Sequence, residues 1–119
     1  MIKVILFFCA FLTVGIVSGQ TTVTASDLKY CDGKVITVCH TVTSTFMTKT
    51  PEKTTFLNFG SFPNQLFTVV IYEEDLKNFK YNPAEFLKGK EICVIGDVLM
   101  RDSGPEIIVE RPDQIEIKE

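Results

Sequence analysis

The sequence predicts a mainly β protein, a five-stranded barrel closed by pairing between its first and fourth strands. Two stretches read as copies of one another, Gly33-Lys34-x-Ile36-x-Val38 and Gly89-Lys90-x-Ile92-x-Val94. In both, apolar residues recur at every second position, the period that places them on one face of a pleated strand. Because one copy lies near the beginning of the folded domain and the other near its end, pairing the two strands would close a barrel.

Runs rich in Val, Ile, Thr and Phe define the strands, and residues that favour turns separate them. A polar loop at 48–53 follows the first strand, and a hairpin turn at 102–104 joins the last two barrel strands. The predicted strands are strand one at 34–47, strand two at 54–59, strand three at 66–72, strand four at 90–101 and strand five at 106–109, with a terminal extension at 115–117.

Strand one is long, and its side chains divide between two faces. We expect these residues to point inward: Ile36, Val38, His40, Val42 and, after Ser44, Phe46. The opposite face would carry Thr37, Cys39, Thr41, Thr43 and Thr45. A strand of this length must bend to remain within a small fold.

The periodicity changes between strands three and four. Acidic residues at 73–75 favour a helix start, because they complement the helix dipole. Asn82 and Pro83 then interrupt the pattern, and proline is well placed at the first position of a helix. The sequence therefore predicts a short helix, a break, and a second helical turn at 83–87.

The resulting order is three strands, a short helical region and two strands. With a long, bent first strand, this is the order of the OB-fold, a small five-stranded Greek-key barrel. An open α+β sandwich built from the same elements is the structural alternative.

The first nineteen residues have the features of a secretory signal peptide: Lys3, an apolar run at 4–17, and small residues up to Gly19. Cleavage after Gly19 is preferred, cleavage after Ala25 is the second possibility, and a retained transmembrane anchor is the alternative. The expected domains are a signal peptide at 1–19, a tail with a short helical turn at 20–32, and an OB-fold domain at 33–117. We therefore expect a protein exported to the periplasm or outside the cell, without membrane contact once the signal is removed.

Three cysteines remain after removal of the signal peptide, and an oxidising compartment favours their pairing. Cys39 and Cys93 both fall in the phase opposite to the inward residues of their strands, so their sulfurs would lie on the same side of the sheet. We expect a disulfide between Cys39 and Cys93, with Cys31 left over. The alternative is that all three are free thiols and that Cys39 and Cys93 simply pack together.

Charge and motif content argue against several classes of protein. The chain has 15 acidic residues against 12 basic ones, so it has no overall positive field to attract polyanions. It contains no HExxH, CxxC, GxSxG or phosphate-loop pattern. We therefore expect no enzyme activity, no catalytic residues, no cofactor, no metal site and no small-molecule substrate, and we interpret the acidic residues at 73–75 as a helix cap.

Several stretches are similar to a known family. They are 33–39, 55–60, 62–72, 89–96 and 105–109, which include Thr-Phe-Leu-Asn-Phe-Gly and Phe-Pro-Asn-Gln-x-Phe-Thr-Val-Val-Ile-Tyr. Over nearly all of 25–117 the chain resembles the small bacterial OB-fold domains that stand alone in exported proteins or accompany secreted nucleases. The resemblance implies a nucleic-acid-binding or nuclease-accessory module. Two departures are His40, where the family usually has glycine, and a less basic turn at 102–106.

OB barrels bind single strands by combining basic residues with aromatic side chains on which bases stack. We place the candidate site on strands two and three, with Phe56, Asn58, Thr68 and Tyr72 facing outward and positive charge from Lys49, Lys53 and Arg101. The alternative is that these aromatic residues are covered and belong to the core. The predicted function is weak binding of single-stranded DNA or RNA; the alternative is a periplasmic interaction or stress-related OB protein that has lost nucleic-acid binding and has a protein partner.

Overall fold

The computed structural model describes residues 21–49, 51–61 and 64–119, so the expected signal peptide at 1–19 lies outside the described residues. Two 3₁₀ helices span Ala25–Tyr30 and Pro112–Gln114. The strands are β1 Thr21–Val23, β2 Val35–Met47, β3 Thr55–Phe59, β4 Phe67–Ile71, β5 Glu91–Arg101, β6 Gly104–Ile108 and β7 Ile115–Ile117, and the α-helices are α1 Glu73–Leu76 and α2 Pro83–Phe86.

Five of these strands form a closed barrel in the order β2-β3-β4-β6-β5, and β5 returns to pair with β2. All neighbours are antiparallel except β4 and β6, which run parallel. This is the OB-fold that the order of elements predicts. The two repeated stretches are neighbours as expected, with Val38 opposite Val94 and Cys39 opposite Cys93.

The barrel interior is filled by the alternate side chains of every strand. Phe59 and Phe67, paired where β3 ends and β4 begins, stack face to face with ring centroids 4.1 Å apart. Leu87, which follows α2, is fully buried in the same core. The other fully buried members from the barrel strands are Ile36, Val38, Val42, Leu57, Val69, Ile71, Ile92, Val94, Val98 and Ile107.

A β-bulge in β2 changes the face on which its second half presents each side chain. Val42 pairs with Phe59 and Ser44 pairs with Asn58, so Thr43 is an extra residue without an opposite partner. After the bulge, the side chains of Thr45 and Met47 are the ones that point into the barrel. The expectation that Phe46 points inward is therefore wrong: Phe46 is on the outer face and 59% exposed.

The segment ahead of the barrel, which was expected to begin as a loose tail, is packed against it. β1 pairs in parallel with β2, placing Val23 beside Val38. Leu28, in the 3₁₀ helix, and Cys31 are both fully buried. The helical turn is thus confirmed. At the other end, the predicted extension β7 pairs with the first half of β5.

Cys31 is disulfide-bonded, so the expectation that it is left over is wrong. The expected disulfide between Cys39 and Cys93 is confirmed. It joins directly opposite residues of β2 and β5, the two strands whose pairing closes the barrel. Both cysteines lie on the outer face of the sheet, in the phase opposite to Val38 and Val94.

The helical region between β4 and β5 is broken as predicted. The Asn82 side chain caps α2, because its Oδ1 accepts hydrogen bonds from the backbone N–H of Ala84 and Glu85, at 3.0 and 3.4 Å. Pro83 occupies the first helical position. Within the described part of the chain, no helix has the length and apolar character needed to cross a membrane.

Candidate functional site

The outer face of β2, β3, β4 and β6 carries two parallel rows of side chains, fixed by the register of the strands. Phe46, Phe56, Val70 and Ile108 are successive cross-strand neighbours and form what we call the aromatic row. The polar row lies two residues away along each strand and consists of Ser44, Asn58, Thr68 and Glu106. Each row exists because side chains alternate across a strand, so the residues between them point into the barrel.

The side chains of the aromatic row differ in how much of their surface is exposed to solvent. Phe46 and Phe56 stack with their centroids 6.2 Å apart and their planes at 29°. Val70 is only 3% exposed although it lies outside the barrel core, and Ile108 is half-buried. The exposed end of the row is therefore the Phe46–Phe56 pair, which offers flat aromatic surface to solvent.

Hydrogen bonds hold the polar row in place. Asn58 Nδ2 donates to Ser44 Oγ at 3.3 Å, and Thr68 Oγ1 donates to Asn58 Oδ1 at 3.3 Å. Gln65 reaches in from the loop before β4, where its Nε2 donates to Asn58 Oδ1 at 3.0 Å and to Thr68 Oγ1 at 2.6 Å. Amide and hydroxyl groups with fixed orientation thus lie beside the exposed aromatic rings.

Basic residues lie at both ends of this face. Lys49 and Lys53 are exposed in the loop between β2 and β3, near Tyr72, which follows β4 and is 38% exposed. Arg101 is at the opposite end, where β5 turns into β6. Along an extended strand these ends are separated by about six residues, or about 20 Å. The seven residues that the sequence singles out therefore do not form one cluster: Phe56, Asn58 and Thr68 lie on this face, and Tyr72, Lys49, Lys53 and Arg101 lie at its two ends.

Acidic groups offset much of this positive charge. Arg101 Nε is 3.1 Å from Glu106 Oε1, an ion pair within the face itself. At the lysine end, Glu73 Oε1 accepts a hydrogen bond from the backbone N–H of Lys53 at 3.0 Å. A shallow depression of about 380 Å³ beside Tyr72 is lined otherwise by Glu52, Glu73 and Glu74. The face is thus aromatic and polar, with little net positive charge of its own.

Sequence reasoning located Phe56, Asn58, Thr68 and Tyr72 on this face but missed three residues. Phe46 was missed because the bulge reverses the phase of β2. Gln65 lies in a loop, where periodicity gives no direction. Glu106 was placed in strand five, but its position beside Thr68 depends on the parallel pairing of β4 with β6. One feature of the sequence does bear on Phe46: the next residue, Met47, is equally apolar and can face the core in its place.

Within the described residues, no group of three or more His, Cys, Asp or Glu side chains is arranged to hold a metal ion.

Comparison with known proteins supports the fold and leaves the ligand open. No protein-family model matches the sequence, and no curated protein is similar to it. Among solved structures, the chain is similar to a protein described as a "putative aspartyl-tRNA synthetase" from Leishmania major Friedlin, with a TM-score of 0.57 and 14% identity. The match covers 91% of this chain and 22% of the other. A likeness of this degree establishes a shared fold, that of an OB barrel within a much longer protein.

Proposed function

We propose that this chain is a non-catalytic, exported OB-fold module that binds single-stranded nucleic acid on the outer face of β2, β3 and β4. The stacked pair of exposed Phe46 and half-buried Phe56 is the observation that carries the proposal. Exposed aromatic rings on an OB barrel suit base stacking, which contributes about 1–3 kcal/mol per base. A monomeric protein gains nothing in stability by leaving so much of Phe46 in water.

The polar row supports the same role. Asn58, Gln65 and Thr68 present amide and hydroxyl groups that can exchange hydrogen bonds with the edges of bases. The accessible rings of the aromatic row lie on β2 and β3, because Val70 is only 3% exposed. This surface suits one or two stacked bases, between the lysine loop at one end of the face and Arg101 at the other.

Export is part of the proposal and rests on two features. The disulfide between Cys39 and Cys93 suits an oxidising compartment. The charged start and apolar run of the first nineteen residues are those of a secretory signal. The solved structure that shares the fold is described as a "putative aspartyl-tRNA synthetase", which is compatible with nucleic-acid binding here.

The test is a titration of fluorescently labelled oligothymidine and oligouridine, followed by anisotropy at low and moderate salt. We expect Phe46→Ala and Phe56→Ala each to weaken binding about tenfold, as the loss of a stacked base requires. Tyr30→Ala is the control, because Tyr30 is an exposed aromatic residue at 69% that lies in the first 3₁₀ helix, outside this face. Equal effects of all three substitutions, or no binding by the unaltered protein at low salt, would contradict the proposal.

The acidic groups around Tyr72 favour a second candidate, a protein partner on the same face. Glu52, Glu73 and Glu74 repel phosphate but suit a basic polypeptide. If this candidate is correct, replacing the three glutamates by glutamine weakens binding of a lysine-rich peptide. Oligonucleotide binding then becomes stronger or stays undetectable, so the peptide is the readout that distinguishes the two candidates. A nucleic-acid function predicts stronger oligonucleotide binding and no effect on the peptide.

A further inference from the structure

The segment between α1 and β5 has the densest positive charge in the described part of the chain. Residues 77–90, which we call the basic segment, include Lys77, Lys80, Lys88 and Lys90 and a single acidic residue, Glu85. Lys77, Lys80 and Lys88 are exposed and Lys90 is half-buried. Among the described residues none of the four lysines forms an ion pair, in contrast to Arg101 on the outer face. Their charge is therefore available to a ligand.

Aromatic rings lie among these lysines. The rings of Tyr81 and Phe86 are 4.8 Å apart, and Lys90 Nζ lies 4.6 Å from the centre of the Phe86 ring. Phe79, which is buried, supports Tyr81 edge-on at 5.6 Å. Burial raises the pKa of the Tyr81 phenol. The segment thus combines free positive charge with partly exposed rings.

The basic segment adjoins the strand that carries Phe46. The backbone N–H of Val42 donates to Lys90 O, and that of Gly89 donates to Val42 O, both at 2.9 Å. These bonds hold the end of the segment against β2, on the side of β2 that faces away from β3. Phe46 follows Val42 by four residues, about 13 Å along an extended strand. A single strand that leaves the Phe46–Phe56 pair and crosses β2 would reach Lys88 and Lys90 within a few nucleotides.

We propose that the basic segment binds the phosphate backbone of single-stranded nucleic acid, as an extension of the site on the outer face. The inference rests on the proposed function and assigns the electrostatic part of binding to residues outside that face. This division of roles explains why the outer face carries aromatic rings and amide groups but little net positive charge. Lysine contacts with phosphates release counterions, so this part of the affinity depends strongly on salt.

The test compares two triple variants with the same change in charge. One replaces Lys77, Lys80 and Lys88 by glutamine; the control replaces Lys29, Lys34 and Lys118, which are exposed elsewhere on the protein. Each is titrated with labelled oligothymidine of about four and about twelve nucleotides, lengths at the lower and middle parts of the range for one OB barrel. Binding to vesicles of phosphatidylcholine with phosphatidylserine is measured in parallel, and urea unfolding checks that both variants are folded.

We expect the basic-segment variant to bind the longer oligonucleotide about tenfold more weakly at low salt, with a salt slope smaller by about two, since each phosphate contact on a single strand contributes roughly 0.7. Its affinity for the shorter oligonucleotide and the slope of the control variant should change little. Equal losses in the two triple variants would overturn the inference and leave the proposed function intact. A basic-segment variant that loses vesicle binding but keeps oligonucleotide binding would also overturn the inference. If the unaltered protein binds no oligonucleotide at low salt, both the proposed function and this inference fail.

Discussion

Phe46 and Phe56 stack on the outside of the barrel, at 6.2 Å between ring centroids, because a bulge after Val42 turns Phe46 away from the core. Without the bulge, the alternation of β2 would place Phe46 inside. The pair is therefore created by one extra residue, Thr43, whose hydroxyl donates to the backbone oxygens of Asn58 and Gly60 at 2.9 and 2.7 Å. Those two bonds anchor the bulge to the end of β3.

The first prediction concerns the stability contributed by this pair. We expect Phe46→Ala to lower the free energy of unfolding by less than about 1 kcal/mol, because most of the side chain is already in water. A double-mutant cycle with Phe56→Ala should give a coupling of about 0.5–1 kcal/mol, the usual value for a stacked pair. Urea unfolding measures both quantities. A loss of several kcal/mol for Phe46→Ala would mean that this ring belongs to the core.

The second prediction concerns the hydroxyl of Thr55. Thr55 is fully buried in the inward phase of β3, and its Oγ1 has no hydrogen-bond partner among the described residues. Burial of an unpaired hydroxyl costs about 1–3 kcal/mol, so Thr55→Val, of nearly the same shape, should stabilise the protein by about 1 kcal/mol. Thr41→Val, on the exposed side of β2, is the control and should change little. A clear destabilisation by Thr55→Val would show that the hydroxyl is satisfied.

The third prediction concerns the disulfide. Cys39 and Cys93 are 54 residues apart, and closing a loop of that length stabilises a protein by about 4 kcal/mol in the chain-entropy model. The double substitution Cys39→Ala and Cys93→Ala should lower the urea midpoint accordingly, with the barrel still folded at low urea. Adding a reductant should also lower the midpoint of the unaltered protein. Equal midpoints for the two proteins without reductant would contradict this account.

The fourth prediction concerns processing of the N-terminus. β1 begins at Thr21 and pairs with β2, and Ala25 packs against the core. Cleavage after Ala25 would remove β1, whereas cleavage after Gly19 keeps it. We therefore expect intact-mass measurement of the exported protein to show Gln20 as the first residue. A mature chain that begins at Ser26 would show that β1 is dispensable.

The fold could be predicted from the sequence because its determinants are local and periodic. Period-two patterns located the strands, Asn82-Pro83 located the break before α2, and the repeated stretches indicated the β2–β5 closure. The phase of Cys39 and Cys93 was sufficient to propose their disulfide, because directly opposite residues share a face.

The candidate site was only partly predictable, because its missing parts depend on tertiary structure. Phe46 and Met47 are adjacent and both apolar, so alternation alone cannot decide which faces the core. The place of Glu106 beside Thr68 follows from a parallel pairing between strands far apart in sequence. The lysines of the basic segment were visible in the sequence, but their proximity to β2 became apparent only from the bonds at Val42.

The most direct test of nucleic-acid binding on the outer face is residue-resolved NMR of the ¹⁵N-labelled protein during titration with a short oligothymidine. The account predicts that amide shifts concentrate at Phe46, Phe56, Asn58, Gln65 and Thr68, with smaller changes in the basic segment. It also predicts that Thr37, Ile95 and Glu116, on the sheet beside the disulfide, remain unchanged. Shifts confined to that second surface, or none at low salt, would contradict the central claim.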